Sequence, residues 1–141
     1  MQFPPQTVLV PVDFSDESFA AVDTALQIAA APASVHVVHV LPEMQTADPG
    51  VVWQAMDVEI RRKHASAELR NRLAGESHQR VQVTIEFGDP GYRISAFAQN
   101  LGADLIVMPS HGRTGLKRIM IGSVAERVVR LAHCPVLVLR H

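Results

Sequence analysis

The residues best suited to chemistry gather at two places in this chain. Asp13 follows the apolar run Val8-Leu9-Val10-Pro11-Val12. The stretch Ser110-His111-Gly112-Arg113-Thr114-Gly115 follows Leu105-Ile106-Val107-Met108-Pro109 and runs on to Gly122-Ser123. Glycines such as Gly112 and Gly122 let the backbone approach an anion closely and turn N–H groups toward it. A helix starting at Gly122-Ser123 would add amides at Gly122, Ser123 and Val124 and the positive end of its dipole, a setting for phosphate. Capping is the competing reading, because Ser123-Val124-Ala125-Glu126 has the spacing of a capping box. Asp13 has two readings as well: a cap for the helix that follows, or an acceptor for donors on a base or ribose. Arg113, Lys117 and Arg118 could neutralise phosphates or simply form a solvated basic surface.

Sharper catalytic signatures are missing. The chain has no GxxxxGK[ST], GxGxxG, GxSxG or HExxH, the spacings that carry nucleotide cradles, serine nucleophiles and zinc sites. His36 and His39 stand three apart in an extended run and so face opposite ways, which does not make a metal edge. Ser110 and His111 are a nucleophile and a base by type. Sequence neighbours in a loop seldom reach the required geometry, and no orienting carboxylate is evident, so no catalytic residue is assigned. Cys134, between His133 and Pro135, reads as a small residue entering a buried strand.

These groups need a scaffold, and 141 residues with 48% in the hydrophobic set are enough for one domain spanning 1–141 with a real core. Thirteen Lys/Arg against fourteen Asp/Glu leave a net charge of −1. That balance argues against a nucleic-acid footprint or a polybasic membrane patch. One cysteine allows no intrachain disulfide, which suits a reducing compartment. Met1-Gln2-Phe3-Pro4-Pro5 lacks the basic region of a signal peptide and no run is long enough to span a bilayer. A cytoplasmic location is expected.

Short runs rich in Val, Ile and Leu at 7–12, 34–41, 103–108 and 135–139 read as strands buried on both faces. The run 80–87 alternates, with Val81, Val83, Ile85 and Phe87 on one side, and reads as an edge strand. Helical patterns fill the gaps. Phe19, Val22, Leu26 and Ala29 follow Ser15, Asp16 and Glu17. Met56/Ile60 and Ala65/Leu69/Leu73 mark the apolar side of a longer helix over roughly 52–76. Asp89-Pro90 opens a helix that Gly102 stops. Ser123 to Ala132 carries Val124, Val128 and Leu131. Strict β-α alternation predicts an α/β fold: a doubly wound, five-stranded parallel sheet with helices on both faces. Ligands in such sheets bind where the winding reverses. Strand order 3-2-1-4-5 puts Asp13 beside the glycine-bearing loop, whereas the other common order separates them. Two connections, 42–51 and 110–121, are long for loops, and the first could act as a mobile lid.

The segments Val8-Leu9-Val10-Pro11-Val12-Asp13-Phe14-Ser15, His39-Val40 and Ser110-His111-Gly112-Arg113-Thr114-Gly115 carry a family resemblance. So do Gly122-Ser123-Val124-Ala125-Glu126-Arg127-Val128 and Cys134-Pro135-Val136-Leu137-Val138. Together they resemble the universal stress protein (UspA-like) family over essentially the whole chain. The resemblance implies order 3-2-1-4-5, a cytoplasmic stress-response role and a homodimer joined through Val136, Leu137, Val138 and Leu139. One branch of that family binds ATP through Gly, two residues, Gly, nine residues, Gly and then Ser or Thr. Here the later positions are Gly112, Gly122 and Ser123, while the first is Pro109. Pro11, Val12, Asp13, Val40 and Met108 fall on its other nucleotide-lining positions, with His111, Arg113 and Val124 beside the phosphate loop. The implied ligand is ATP or AMP, with Mg²⁺ accompanying ATP. Proline at 109 lacks an N–H and fills room that glycine leaves, which supports an alternative: a dimeric interaction module of the same fold that binds no nucleotide.

Overall fold

Apolar runs without a polar side are stable as strands only when both faces are covered. The computed structural model describes residues 1–43, 51–111 and 121–140. In it β1 (Val8–Pro11), β2 (Val35–Leu41), β3 (Gln82–Phe87), β4 (Leu105–Pro109) and β5 (Val136–Leu139) form one parallel sheet in the order β3-β2-β1-β4-β5. The predicted order 3-2-1-4-5 is the observed one, but β5 is an edge with no buried residue, so the run 135–139 lacks the two covered faces expected of it. Gly112 and Arg113, with Gly115, Lys117 and Arg118, lie outside the described residues, as do positions 44–50 of the expected lid.

Helices α1 (Asp16–Ile28), α2 (Val51–Arg72), α3 (Pro90–Leu101) and α4 (Ser123–Leu131) alternate with the strands. Side-chain parity divides them between the two faces. Val8, Val10, Val35 and Val37 pack with Ala21, Val22 and Ala25 of α1, Leu69 of α2 and Leu73 just past its end. Leu9, Val38, Ile106 and Met108 point the other way, onto Ile94 and Ala98 of α3 and Ala125 and Val128 of α4. Leu69 is fully buried, and its truncation to alanine would cost about 2–5 kcal/mol.

The local signals for α3 hold. Asp89 is the N-cap and its carboxylate accepts the Tyr92 N–H at 3.2 Å. Gly102 closes the helix at φ 73°, the left-handed backbone that glycine adopts without strain. The apolar face assigned to α2 is only half right. Ala65, Leu69 and Leu73 are buried, but Met56 and Ile60 are each 53% exposed. The first turns of α2 lie away from the covered part of the sheet, a tertiary fact that helical spacing does not encode.

One break in the ladder matters for function. β1 pairs with β2 from Val8↔Val35 to Pro11↔Val38, yet with β4 only at Val8↔Leu105 and Leu9↔Ile106. Beyond Leu9 the two central strands part. Pro11 and Pro109, at their carboxyl ends, have no N–H with which to continue pairing.

Candidate functional site

The parting of β1 and β4 opens a cavity of about 160 Å³ at the carboxyl ends of the strands. Pro11, Val12 and Asp13 leave β1 along one wall, and Val40 comes from the end of β2. Met108 and Pro109 end β4, while Gly122, Ser123 and Val124 begin α4; all line the same space. The structure therefore brings these candidate residues together. His111 does not line this cavity. Sequence reasoning missed further lining residues, notably Ser18, Pro90, Ile94 and Ser110. Pro90 and Ile94 come from the first turns of α3, whose approach to α4 is set by packing and leaves no local motif.

The β1 exit is a tightly bracketed turn. Ser15 is the N-cap of α1, its Oγ accepting the Ser18 N–H at 3.1 Å. Asp13 is thus not the cap. Its Oδ1 accepts the Ser15 N–H at 3.0 Å and also the Ser15 hydroxyl, so the carboxylate holds the cap in place. Ser18 Oγ donates to the Ser15 carbonyl at 2.8 Å and accepts the Asp13 N–H at 3.4 Å. Phe14 sits between them at φ 67°. That left-handed backbone costs a non-glycine residue about 1 kcal/mol or more and persists only where surroundings enforce it. Its ring meets Phe19 and His39 edge-on, at 6.1 and 4.8 Å between centroids.

The α4 side is built differently. The N-cap is Gly122, in extended backbone at φ −64°, and among the described residues no side chain caps the helix. Ser123 occupies the first helical position, so the capping box read from Ser123 and Glu126 does not form. The reason is local. The Gly122 N–H donates to the Ser110 carbonyl at 2.6 Å, which starts the helix one residue earlier than the serine signal suggests. Glu126 instead pairs with Arg130 at 2.6 Å along the helix. Glycine at 122 relieves crowding: a Cβ there would lie 3.1 Å from the Ser110 carbonyl oxygen, which would have to give by a few tenths of an ångström.

Ser110 Oγ and His111 Nδ1 lie 3.1 Å apart, a contact that adjacency in a loop did not lead us to expect. Ser110 is buried, and among the described residues the buried His111 Nε2 has no hydrogen-bond partner, so no carboxylate orients the ring. The pair has two members of a relay and lacks the third. Cys134 is partly buried; burial pushes its thiol pKa upward and the Asp104 carboxylate adds to that. Among the described residues no helix is long and apolar enough to cross a membrane, and no group of three or more His, Cys, Asp or Glu could hold a metal ion.

Comparison with known proteins agrees with this architecture. Residues 5–140 match the model of the universal stress protein family. Universal stress protein MJ0531 of Methanocaldococcus jannaschii is 37% identical over 139 residues, covering 94% of this chain and 81% of the relative. The solved structure of UspA from Lactobacillus plantarum superposes with a TM-score of 0.73 at 28% identity, covering 96% of this chain and 98% of that one. A universal stress protein solved in complex with cAMP gives a TM-score of 0.60 at 27% identity, covering 96% and 97%. The chain belongs to the universal stress protein family.

Proposed function

We propose that this protein binds an adenine nucleotide, ATP or AMP, in the cavity between the ends of β1 and β4, and works as a dimeric cytoplasmic stress-response module rather than an enzyme. The observation that carries the reading is the start of α4. It faces the cavity with no side-chain cap, opposite Asp13 and beside the apolar walls of Val12, Val40 and Met108. Amides in that position suit phosphate oxygens, and apolar walls with few polar groups suit a base. Asp13 would then contact the ribose or base, and Mg²⁺ would bridge the phosphates of ATP. A relative bound to cAMP supports the same ligand class. Gly112 and Arg113 belong to the phosphate side of this proposal, and His111, outside the cavity lining, joins it only as the neighbour of Ser110.

Dimerisation would run through β5. It is a sheet edge whose Val136, Leu137, Val138 and Leu139 are incompletely buried, with Leu137 at 37% exposure. An apolar edge left bare promotes association, and symmetric pairing with a second copy covers it. Light scattering at micromolar concentration should give dimer mass, and Val138→Lys should shift it toward monomer. Monomer mass for the parent would exclude the β5 interface. Pro109 favours the competing module without nucleotide. Calorimetric titration with Mg-ATP decides between them: heat with one site per chain supports the proposal. Silence from the parent with clear binding by Pro109→Gly supports the competitor.

A further inference from the structure

We infer that His39 is a positioning residue that keeps the Val40 backbone N–H available to the ligand by taking over the carbonyl to which that N–H would otherwise bond. The inference rests on the nucleotide reading for its purpose, though not for its geometry. Along β2, successive residues turn their peptide groups alternately to the two neighbouring strands. Val38 accepts the Val12 N–H from the β1 side at 2.8 Å, and Leu41 accepts the Gly88 N–H from the β3 side at 2.9 Å. Parity therefore turns the Val40 N–H toward β1, where the next rung would be Val40 N–H to Val12 carbonyl. That rung does not form: β1 ends at Pro11, and the last registered pair is Pro11↔Val38. The Val12 carbonyl instead accepts from His39 Nδ1 at 2.6 Å.

A carbonyl only accepts, so Nδ1 must carry the proton. The same ring packs edge-on against Phe14 at 4.8 Å, the residue held in left-handed backbone next to Asp13. One imidazole thus ends the β1–β2 ladder early, fixes the Val12 peptide and braces the turn that presents Asp13. Val40, left with its N–H toward the opening, lines the cavity. This accounts together for the strained Phe14 and for the placement of His39 toward the carboxyl end of β2.

The test measures amide hydrogen exchange of Val40 in the ligand-free protein, for the parent, His39→Leu and His39→Asn, followed by Mg-ATP titration of each. Asparagine places a donor close to the position of Nδ1; leucine removes it. The parent should show a fast-exchanging Val40 amide that becomes protected when ATP binds. His39→Leu should protect that amide without ligand, as the rung closes, and weaken ATP by about three- to tenfold, the range for one net hydrogen bond. His39→Asn should restore both properties. A Val40 amide already protected in the ligand-free parent overturns the inference, as does His39→Leu with a fast Val40 amide and unchanged affinity. If His39→Leu does not fold, the parent exchange and His39→Asn still decide. A parent that binds no ATP refutes the nucleotide reading separately, because Val40 exchange is read without ligand.

Discussion

Three helices begin at the carboxyl edge of this sheet within reach of one another, and they begin in two ways. α1 and α3 are closed by their own side chains. Ser15 caps α1, backed by Asp13 and followed by Asp16 and Glu17, and Asp89 caps α3 ahead of Pro90. α4 starts on Gly122 with no side-chain cap among the described residues, and its first-turn acid, Glu126, is drawn off to Arg130. A side-chain cap satisfies one or two of the four unpaired amides at a helix start; without it those amides and the positive dipole end stay open to an anion. All three starts contribute residues to the cavity, and the proposed phosphate site rests on the α4 start, the one without a side-chain cap among the described residues.

Closing α4 should have the largest effect. Ser123→Asp puts a carboxylate among the first-turn amides, where it stabilises the helix by roughly 0.3–1 kcal/mol. It would also repel phosphate across a few ångströms, weakening Mg-ATP by about a hundredfold. Thermal unfolding and calorimetry read the two signs separately; a loss of both stability and affinity would mean damage rather than competition. Asp13→Ala should weaken binding by about one to two decades if the carboxylate bonds the ligand, since a hydrogen bond to a charged group is worth roughly 1.5–3 kcal/mol. It should also loosen the α1 cap, visible as faster exchange of the Ser15 amide.

Pro109→Gly sharpens the comparison from the other side. A glycine restores an N–H and clearance beside the phosphates, and affinity should rise by about tenfold at most. Added chain freedom offsets part of the gain. Unchanged affinity would show that residue 109 contributes no donor. Asp89→Ala acts on a closed start and should have the smallest effect on binding. It removes the α3 cap and the contact with Arg127 at 3.3 Å, lowering stability by about 1 kcal/mol in denaturant melts with affinity nearly constant.

The sheet was readable from the sequence because its signals are local and repeated. Val8 to Val12 and Ala103 to Met108 are too apolar to face water on either side, and the alternating Val81 to Phe87 run lies at the edge, as its pattern demands. The Asp89-Pro90 and Gly102 boundaries were readable for the same reason. What escaped depended on register and distance. Ser123 has the composition of a cap, yet the 2.6 Å bond from the Gly122 N–H to the Ser110 carbonyl moves the helix start. His39 was legible only as a residue on the opposite face from His36. Its grip on Val12 follows from how β1 and β2 end together. Met56 and Ile60 have core spacing but no core above them.

Binding of a nucleotide phosphate at the open start of α4 is the central expectation for this molecule. Calorimetric titration of the unmodified protein with Mg-ATP, run beside Ser123→Asp with the folded fraction of each checked by circular dichroism, measures this. Saturable binding at one nucleotide per chain in the parent, lost in a fully folded Ser123→Asp, is the predicted result. No binding by the parent, or equal binding by both proteins, would contradict the account.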